Sequence, residues 1–206
     1  MLLGGLLSVA FAVPAQAAPT WLAPVDLSDG GQDASAPQVS VDSQGNATAI
    51  WSRYNGNDSV VQAATRAPGA TWQTPITLSA SGRSAYSPQV SVDAQGNATA
   101  IWYRSNGTND VVQAATRAPG GAWMAAVNLS ATGRNAAGPH LSVDTLGNAT
   151  AIWRRSDGAN SVVQAASRAP GGTWQTPIDL SASGRNAYEP QVSVDAQGNA
   201  TAIWRR

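Results

Sequence analysis

The sequence predicts an all-β protein assembled from near-identical units, and two observations support that fold class. The segment PQVSVDAQGNATAIW at residues 88–102 occurs four times with few changes, at a constant interval of 51 residues. No segment shows the 3.6-residue apolar period and the caps of a helix. A fixed period of this size is typical of arrays whose units bury their faces only against their neighbours. The copies begin at Pro37, Pro88, Pro139 and Pro190.

Each repeat contains four runs of strand length. In the second repeat, the β-branched run at 90–93 and the run at 98–104 flank a Gly-Asn turn, which predicts a β-hairpin. A polar turn then leads to the run at 111–117, and an Ala-Pro-Gly-Gly turn leads to the run at 123–130. We therefore expect four short antiparallel strands in every complete repeat.

Four antiparallel strands in about 50 residues are typical of the blade of a β-propeller, where both faces of a blade pack on neighbouring blades. The second strand places Ala98, Ala100 and Trp102 on one face. The small residues let the adjacent sheet approach, and the indole fills the gap. The prediction is a β-propeller-type array of about three and a half blades in a repeat domain at 18–206. Complete blades are predicted near 37–79, 88–130 and 139–181, and a partial blade is predicted from 21–28 and 190–206.

The numbers of predicted strands leave two alternatives for the array. The first and second strands occur four times, the third strand three times and the fourth strand four times. We favour a truncated piece of a longer propeller over a small four-bladed ring that closes imperfectly. A truncated array exposes sheet edges and a blade face, so we also predict self-association through these open edges.

Residues 1–17 indicate a secreted protein. They combine an apolar run with an Ala-Gln-Ala cleavage site before Ala18, which is the pattern of a signal peptide. The segment lacks a Lys or Arg before its apolar core, and a buried first strand is the alternative interpretation. The run is too short to cross a hydrocarbon core of about 30 Å, and no longer apolar stretch follows, so we predict no membrane span.

Composition excludes several classes of function. The chain has no cysteine, which rules out disulfides and thiolate metal sites. Its 12 basic residues are all arginine and are balanced by 12 acidic residues, so no nucleic-acid partner is predicted. His140, the one histidine, has no acidic or cysteine company, so neither a metal site nor a cofactor is expected. The abundance of Ala, Gly, Arg and Pro suggests a bacterial genome.

The third turn of the repeat resembles a known motif. The segment SRAPGGTW at 167–174 is similar to the Asp-box, or bacterial neuraminidase repeat, whose pattern is Ser-x-Asp-x-Gly-x-Thr-Trp. The resemblance implies a sialidase-like β-propeller with this turn between the third and fourth strands. The aspartate of the motif is replaced in every copy, so its hydrogen bonds cannot form. Its position is occupied by Ala67, Ala118 and Ala169.

The resemblance to sialidases implies an arginine triad, a tyrosine with an acidic partner, and an acid/base aspartate. The arginines after the second-strand tryptophan are equivalent positions of one repeat, whereas an active site needs different residues that converge. Tyr188-Glu189 is the one Tyr/Glu pair. Because it lies in a predicted loop, we interpret it as sequence drift and not as a catalytic pair. An Asp before a Gly-Asn turn caps that turn by hydrogen bonding to the nearby backbone, which explains the repeated aspartates without a catalytic role. We therefore predict that the chain is not an enzyme and has no catalytic residues. The repeated aspartates are Asp42, Asp93, Asp144 and Asp195.

The predicted function is a secreted, non-catalytic binding module. Recurring indoles and guanidiniums favour a glycan or another cell-surface ligand, bound at several equivalent weak sites. One alternative is a structural or protein-interaction scaffold, with every Trp buried and Arg paired with Asp. A sialidase-like glycosidase is the third. The predicted ligand-binding residues are Trp51, Arg53, Trp102, Arg104, Trp153 and Arg155.

Overall fold

The computed structural model describes residues 21–206, and these form strands without any helix. No helix that could cross a membrane occurs in that part of the chain. The predicted signal peptide at residues 1–17 lies outside the described residues. The strands are β1 Ala34–Val41, β2 Ala47–Tyr54, β3 Ser59–Arg66, β4 Ile76–Thr77, β5 Ala85–Val92, β6 Ala98–Ser105, β7 Asp110–Arg117, β8 Val127–Asn128, β9 Ala136–Val143, β10 Ala149–Ser156, β11 Ser161–Arg168, β12 Ile178–Asp179, β13 Tyr188–Val194 and β14 Ala200–Arg205.

The strands form antiparallel sheets in chain order. Strands β1–β4, β5–β8 and β9–β12 make the first, second and third sheets, and β13–β14 make the fourth sheet. In the three complete sheets, each second strand pairs with both its first and its third strand along almost its full length. The predicted all-β fold, with four-stranded antiparallel units repeating along the chain, is confirmed.

Residues 21–28 form no strand, although the sequence predicted a fourth strand there. Each observed fourth strand pairs with a third strand, as in Ala63↔Ile76, and residues 21–28 pair with none of the third strands in the described chain. Leu27 nevertheless packs against Trp51 of the first sheet. Its equivalent Leu78 packs against the second sheet in the same way. Residues 21–28 therefore keep the packing contact of a fourth strand although they form no β-ladder.

The core lies between neighbouring sheets. Ile50 and Val61 of the first sheet pack against Ala100 and Trp102 of the second sheet. The same contacts recur one repeat later, where Ile101 packs against Trp153. The predicted packing of small residues and an indole against the adjacent sheet is therefore confirmed. A tryptophan can bury about 200 Å², which is worth about 5 kcal/mol at about 25 cal/mol per Å².

The first strands lie side by side, with the same direction in each sheet. Val92 N–H of β5 donates to Ser40 Oγ of β1 at 3.0 Å, and Val194 N–H of β13 donates to Ser142 Oγ of β9 at 3.0 Å. The other edge of each complete sheet is a two-residue fourth strand whose apolar residue is exposed, such as Ile76. All the sheets therefore share one orientation, and the array has two rims.

We name the rims by their turns. The lower rim carries the turns between first and second strands and between third and fourth strands. The upper rim carries the turns between second and third strands, the loops that join successive sheets, and the strand residues next to them. Its segments are 29–36, 52–59, 80–87, 103–110, 131–138, 154–161, 182–189 and 205–206.

Candidate functional site

The lower rim repeats one turn in every sheet. Asp93 Oδ1 accepts hydrogen bonds from Gln95 N–H at 2.9 Å and Asn97 N–H at 2.8 Å, and Asp93 Oδ2 accepts from Asn97 Nδ2 at 2.8 Å. Gly96 follows with φ of 87°, a conformation that glycine adopts without strain. The structure thus confirms that this aspartate caps its own turn. Asp42, Asp144 and Asp195 make the same bonds.

Arginines at the end of the third strands join neighbouring sheets at the lower rim. Arg168 Nη2 donates to Thr99 Oγ1 of the preceding sheet at 2.9 Å, and its guanidinium lies 5.6 Å from the Trp174 ring centroid. Arg117 makes the equivalent bond to Thr48 at 3.0 Å. Burial lowers the pKa of Arg168, and the nearby carboxylate of Asp93 opposes that effect. The charged side chains of this rim thus stabilise turns and hold neighbouring sheets together.

The structure places the predicted ligand-binding tryptophans in the core. Trp102 and Trp153 are 0% exposed and Trp51 is also buried. Trp102 Nε1 donates to Gln113 Oε1 at 3.1 Å, a partner within its own sheet. The assignment of these indoles to a ligand surface is corrected here, because a buried ring offers no face to a sugar.

The predicted arginines lie at the upper rim and hold loops. Arg104 donates from Nε to Ala80 O at 3.1 Å and from Nη2 to Ser81 O at 2.9 Å. Arg53 lies 3.7 Å from the Asp29 carboxylate. Arg155 occupies the equivalent position on β10 and is half-buried. Arg53 and Arg104 therefore tie their second strands to the loops that precede their sheets, whereas the buried Nε of Arg155 has no hydrogen-bond partner among the described residues.

Every first strand contains a bulge at the upper rim. The pairing of β5 with β6 shifts between Tyr86 and Gln89, and the intervening Ser87 has φ of 51°. Positive φ is uncommon for residues other than glycine, and bulges re-aim side chains. Ala36 and Glu189 share the positive φ, and Gly138 takes it in the third sheet.

Two tyrosines meet beside this bulge in the second sheet. The rings of Tyr86 and Tyr103 lie with centroids 5.7 Å apart at an interplanar angle of 42°. Tyr86 is 41% exposed and Tyr103 is half-buried against the core. Burial and, to a smaller extent, the Asp110 carboxylate raise the pKa of Tyr103. The pair forms an aromatic platform with polar edges.

The fourth sheet carries a charged counterpart at the same repeat positions. Arg205 lies over the Tyr188 ring at 5.8 Å from its centroid, and its Nη2 is 3.6 Å from Glu189 Oε1. The sequence placed Tyr188-Glu189 in a loop, whereas the structure starts β13 at Tyr188. A signal for this cluster was available, because its positions are among those at which the repeats differ most in chemistry. One such position holds Ser52, Tyr103, Arg154 and Arg205.

The lone histidine and the acidic groups form no metal site in the described chain. His140 Nδ1 accepts a hydrogen bond from Val192 N–H at 3.3 Å, and burial lowers the pKa of the ring. A neutral imidazole suits that acceptor role. No group of three His, Asp or Glu side chains in residues 21–206 could hold a metal ion.

Comparison with solved structures gives the fold a context. No family model matches the sequence, and no curated protein does. An endo-arabinase of Bacteroides thetaiotaomicron is similar with a TM-score of 0.51 and 15% identity, and the match covers 83% of this chain and 69% of that one. An α-L-arabinanase of Penicillium chrysogenum, complexed with arabinobiose, has a TM-score of 0.52 and 13% identity, over 82% of this chain and 58% of that one. A family 117 glycoside hydrolase of Zobellia galactanivorans has a TM-score of 0.53 and 12% identity, over 86% of this chain and 67% of that one.

These similarities establish a β-propeller-type fold of the kind that glycoside hydrolases use. They overturn the prediction that the chain is not an enzyme, because the similar structures are themselves enzymes that act on carbohydrate. That prediction rested on the equivalence of repeated residues. It overlooked the upper rim, where the repeats carry different side chains.

Proposed function

We propose that this chain binds carbohydrate at its upper rim, beside the bulges of the first strands. The arabinanase and the family 117 glycoside hydrolase that share its fold support this ligand class. The finer resemblance to sialidase-like propellers with Asp-box turns belongs to the same proposal. The tryptophans of the third turns support that resemblance, because Trp174 is half-buried and packs against the core of its sheet.

The observation that carries the proposal is the aromatic pair of Tyr86 and Tyr103. Tyrosine presents an apolar face and a hydroxyl, which suits a sugar ring with one apolar side and polar edges. The buried tryptophans cannot do this, and the three turn tryptophans already face arginines, as Trp72 faces Arg66 at 5.1 Å. Trp204 packs against the core beside the fourth sheet, and Trp21 is exposed in a segment that forms no strand. Within the upper rim, the tyrosine pair is therefore the aromatic surface best placed for a glycan.

The proposal is tested by calorimetric titration of the protein with arabino-oligosaccharides and a panel of other glycans. We expect Tyr86→Ala to weaken binding about tenfold, because it removes the exposed half of the platform. Tyr54→Ala is the matched control, since Tyr54 is also 41% exposed at the upper rim but donates its hydroxyl to Gly56 O at 2.8 Å. Equal losses in both variants, or no binding to any glycan, would contradict the proposal.

Glycoside hydrolysis is the second candidate function. Such hydrolysis generally needs two carboxyl groups that flank the scissile bond. Asp110 and Glu189 are upper-rim carboxylates at positions that are not acidic in the other repeats. Release of reducing ends from arabinan that disappears in Glu189→Gln would support this candidate. Activity that is unchanged in Glu189→Gln and Asp110→Asn would exclude these two residues as its carboxylates.

We extend the proposal to location and assembly. Secretion after removal of residues 1–17 predicts a mature amino terminus at Ala18, which Edman sequencing of the exported protein would test. Self-association through exposed sheet residues such as Val39, Val41 and Ile203 predicts a mass that rises with concentration in sedimentation. A constant monomer mass would refute that second part.

A further inference from the structure

Charge is distributed unevenly between the two rims. The whole upper rim holds nine arginines and six acidic residues, and from residue 80 onward it holds eight arginines and three acidic residues, a formal excess there of five positive charges. The whole lower rim holds three arginines and four aspartates. The net charge of zero therefore hides a basic surface on one side of the molecule. The upper-rim set is Arg83, Arg104, Arg134, Arg154, Arg155, Arg185, Arg205 and Arg206, against Asp110, Asp157 and Glu189.

Several of these arginines have no ion-pair partner in the described chain. Of the eight, Arg205 alone lies within 4.0 Å of a carboxylate. Arg104 and Arg206 donate to backbone carbonyls instead. Arg134, Arg154 and Arg185 are exposed and make no side-chain hydrogen bond or ion pair with the residues at 21–206. Their guanidiniums keep their donors for an anion, although the charge of Arg134 adds to the backbone hydrogen bonds that lower the pKa of the nearby Asp157.

The loops that carry these arginines form one continuous rim. Asn135 Oδ1 accepts a hydrogen bond from Asp110 N–H at 2.9 Å, and Asn186 Oδ1 accepts from Ser161 N–H at 2.8 Å. Each bond fastens the loop after a sheet to the third strand of that sheet. The loops are therefore held in place before any ligand arrives, which reduces the entropic cost of binding.

Glycines in the turns let two of the arginines lie flat on the rim. A side chain at Gly107 would meet the Arg83 guanidinium, and one at Gly158 would overlap the guanidinium of Arg134. Both glycines have positive φ, at 101° and 111°. Arg83 also donates from Nη1 to Gly82 O at 2.8 Å. The guanidiniums thus rest against backbone and keep other donors directed to solvent.

We propose that the upper rim selects an acidic glycan, in which uronate carboxylates pair with Arg134, Arg154 and Arg185. This inference rests on the proposed function, since the sugar backbone would lie on the platform of Tyr86 and Tyr103. The planar guanidinium fork matches a carboxylate in a bidentate geometry. A neutral glycan would use the tyrosines alone and leave these arginines without a partner.

The test compares two ligands that differ only in charge. Calorimetric titrations use an oligogalacturonate and its fully methyl-esterified form, at about 50 mM and about 300 mM NaCl. We expect the charged form to bind about tenfold more tightly at low salt, and most of that difference to vanish at high salt. The ester should retain the weaker binding that comes from the sugar backbone.

Matched variants locate the effect on the rim. Arg154→Ala combined with Arg134→Ala should weaken oligogalacturonate binding about tenfold and leave the ester unaffected. Arg66→Ala is the control, because it removes a positive charge from the lower rim. An equal loss in this control would overturn the assignment to the upper rim.

The possible outcomes distinguish a failure of this inference from a failure of the proposed carbohydrate binding. Equal affinity for the acid and its ester overturns the selection for acidic glycans and leaves carbohydrate binding intact. Absence of binding to both of these and to the neutral panel overturns the proposed function. Single-stranded DNA that binds as tightly as oligogalacturonate would show a general polyanion surface and would also overturn the inference.

Discussion

The two rims of this molecule use similar residues for different purposes. At the lower rim, the same Asp and Asn recur in all four sheets and bond to each other, as Asp93 does with Asn97, and the same Arg recurs in the three complete sheets. At the upper rim, equivalent positions carry Tyr103 in one sheet and Arg154 in the next. A contact that every sheet needs must be repeated, whereas a ligand requires different groups around it. In this chain, recurrence marks the scaffold and variation marks the candidate site.

The largest effect that would sharpen this comparison comes from Asp93→Ala at the lower rim. Asp93 is buried and accepts three hydrogen bonds in a part-buried turn, so its loss leaves those three donors without their partner. We expect the free energy of unfolding to fall by about 2–4 kcal/mol, measured by urea denaturation. Asp195→Ala is the control, because Asp195 makes the same bonds in an exposed turn where water replaces them. Equal losses would mean that burial does not matter at this rim.

A smaller loss is expected from Arg168→Gln, also at the lower rim. Arg168 is 9% exposed, donates to Thr99 and lies over Trp174. Removing the bond and the cation–π contact should cost about 1–3 kcal/mol of unfolding free energy. Arg185→Gln at the exposed upper rim should change it by less than about 0.5 kcal/mol. A larger loss at Arg185 than at Arg168 would reverse the comparison of the rims.

Acid should also weaken the lower rim. Burial by itself would raise the pKa of Asp144, but hydrogen bonds from Asn148, Leu146 and Gly147 outweigh it and hold that pKa below its usual value. The pKa values of Asp42 and Asp195 are lowered as well. The unfolded chain then binds more protons, so stability present above about pH 4 is lost as the pH falls further. Thermal melting from about pH 7 to about pH 2 measures this, and a flat profile would contradict it.

The smallest effect on stability is expected at the upper rim. Tyr86→Ala and Arg154→Ala change exposed side chains, so each should alter the unfolding free energy by about 0.5 kcal/mol or less. The same variants are expected to lose glycan affinity. Thermal melting measured beside the titrations checks both parts. A drop in stability comparable to that of Asp93→Ala would make the upper rim structural as well.

The strands were predictable to different degrees. The second and third strands follow from local alternation, and β6 extends only one residue beyond its predicted end. The fourth strand was predicted at 123–130, but the strand is limited to Val127–Asn128, with one isolated bridge from Trp123 to Arg117. Beyond it, Ser130 Oγ accepts a hydrogen bond from Val112 N–H at 2.9 Å, so the chain turns into the core. That contact joins residues 18 apart, and no local pattern encodes it.

The candidate site was harder to predict than the fold. The recurring Trp and Arg were predicted to bind the ligand because they repeat. In the structure, however, Trp102 is buried and Arg104 is hydrogen-bonded to a loop. The first-strand bulge was missed because the proline after it marked the start of the strand in sequence. Proline lacks an N–H and is tolerated at a bulge, so Pro88 lies inside β5.

The sequence by itself determined the repeat, the strand-forming runs and the turns, because each depends on residues close together in the chain. The tertiary structure decided which indoles are buried and which tyrosines remain exposed. Burial depends on a sheet that lies 51 residues away, and only the stacking of sheets brings those surfaces together. The convergence of differing side chains on one rim is likewise a property of the assembled array.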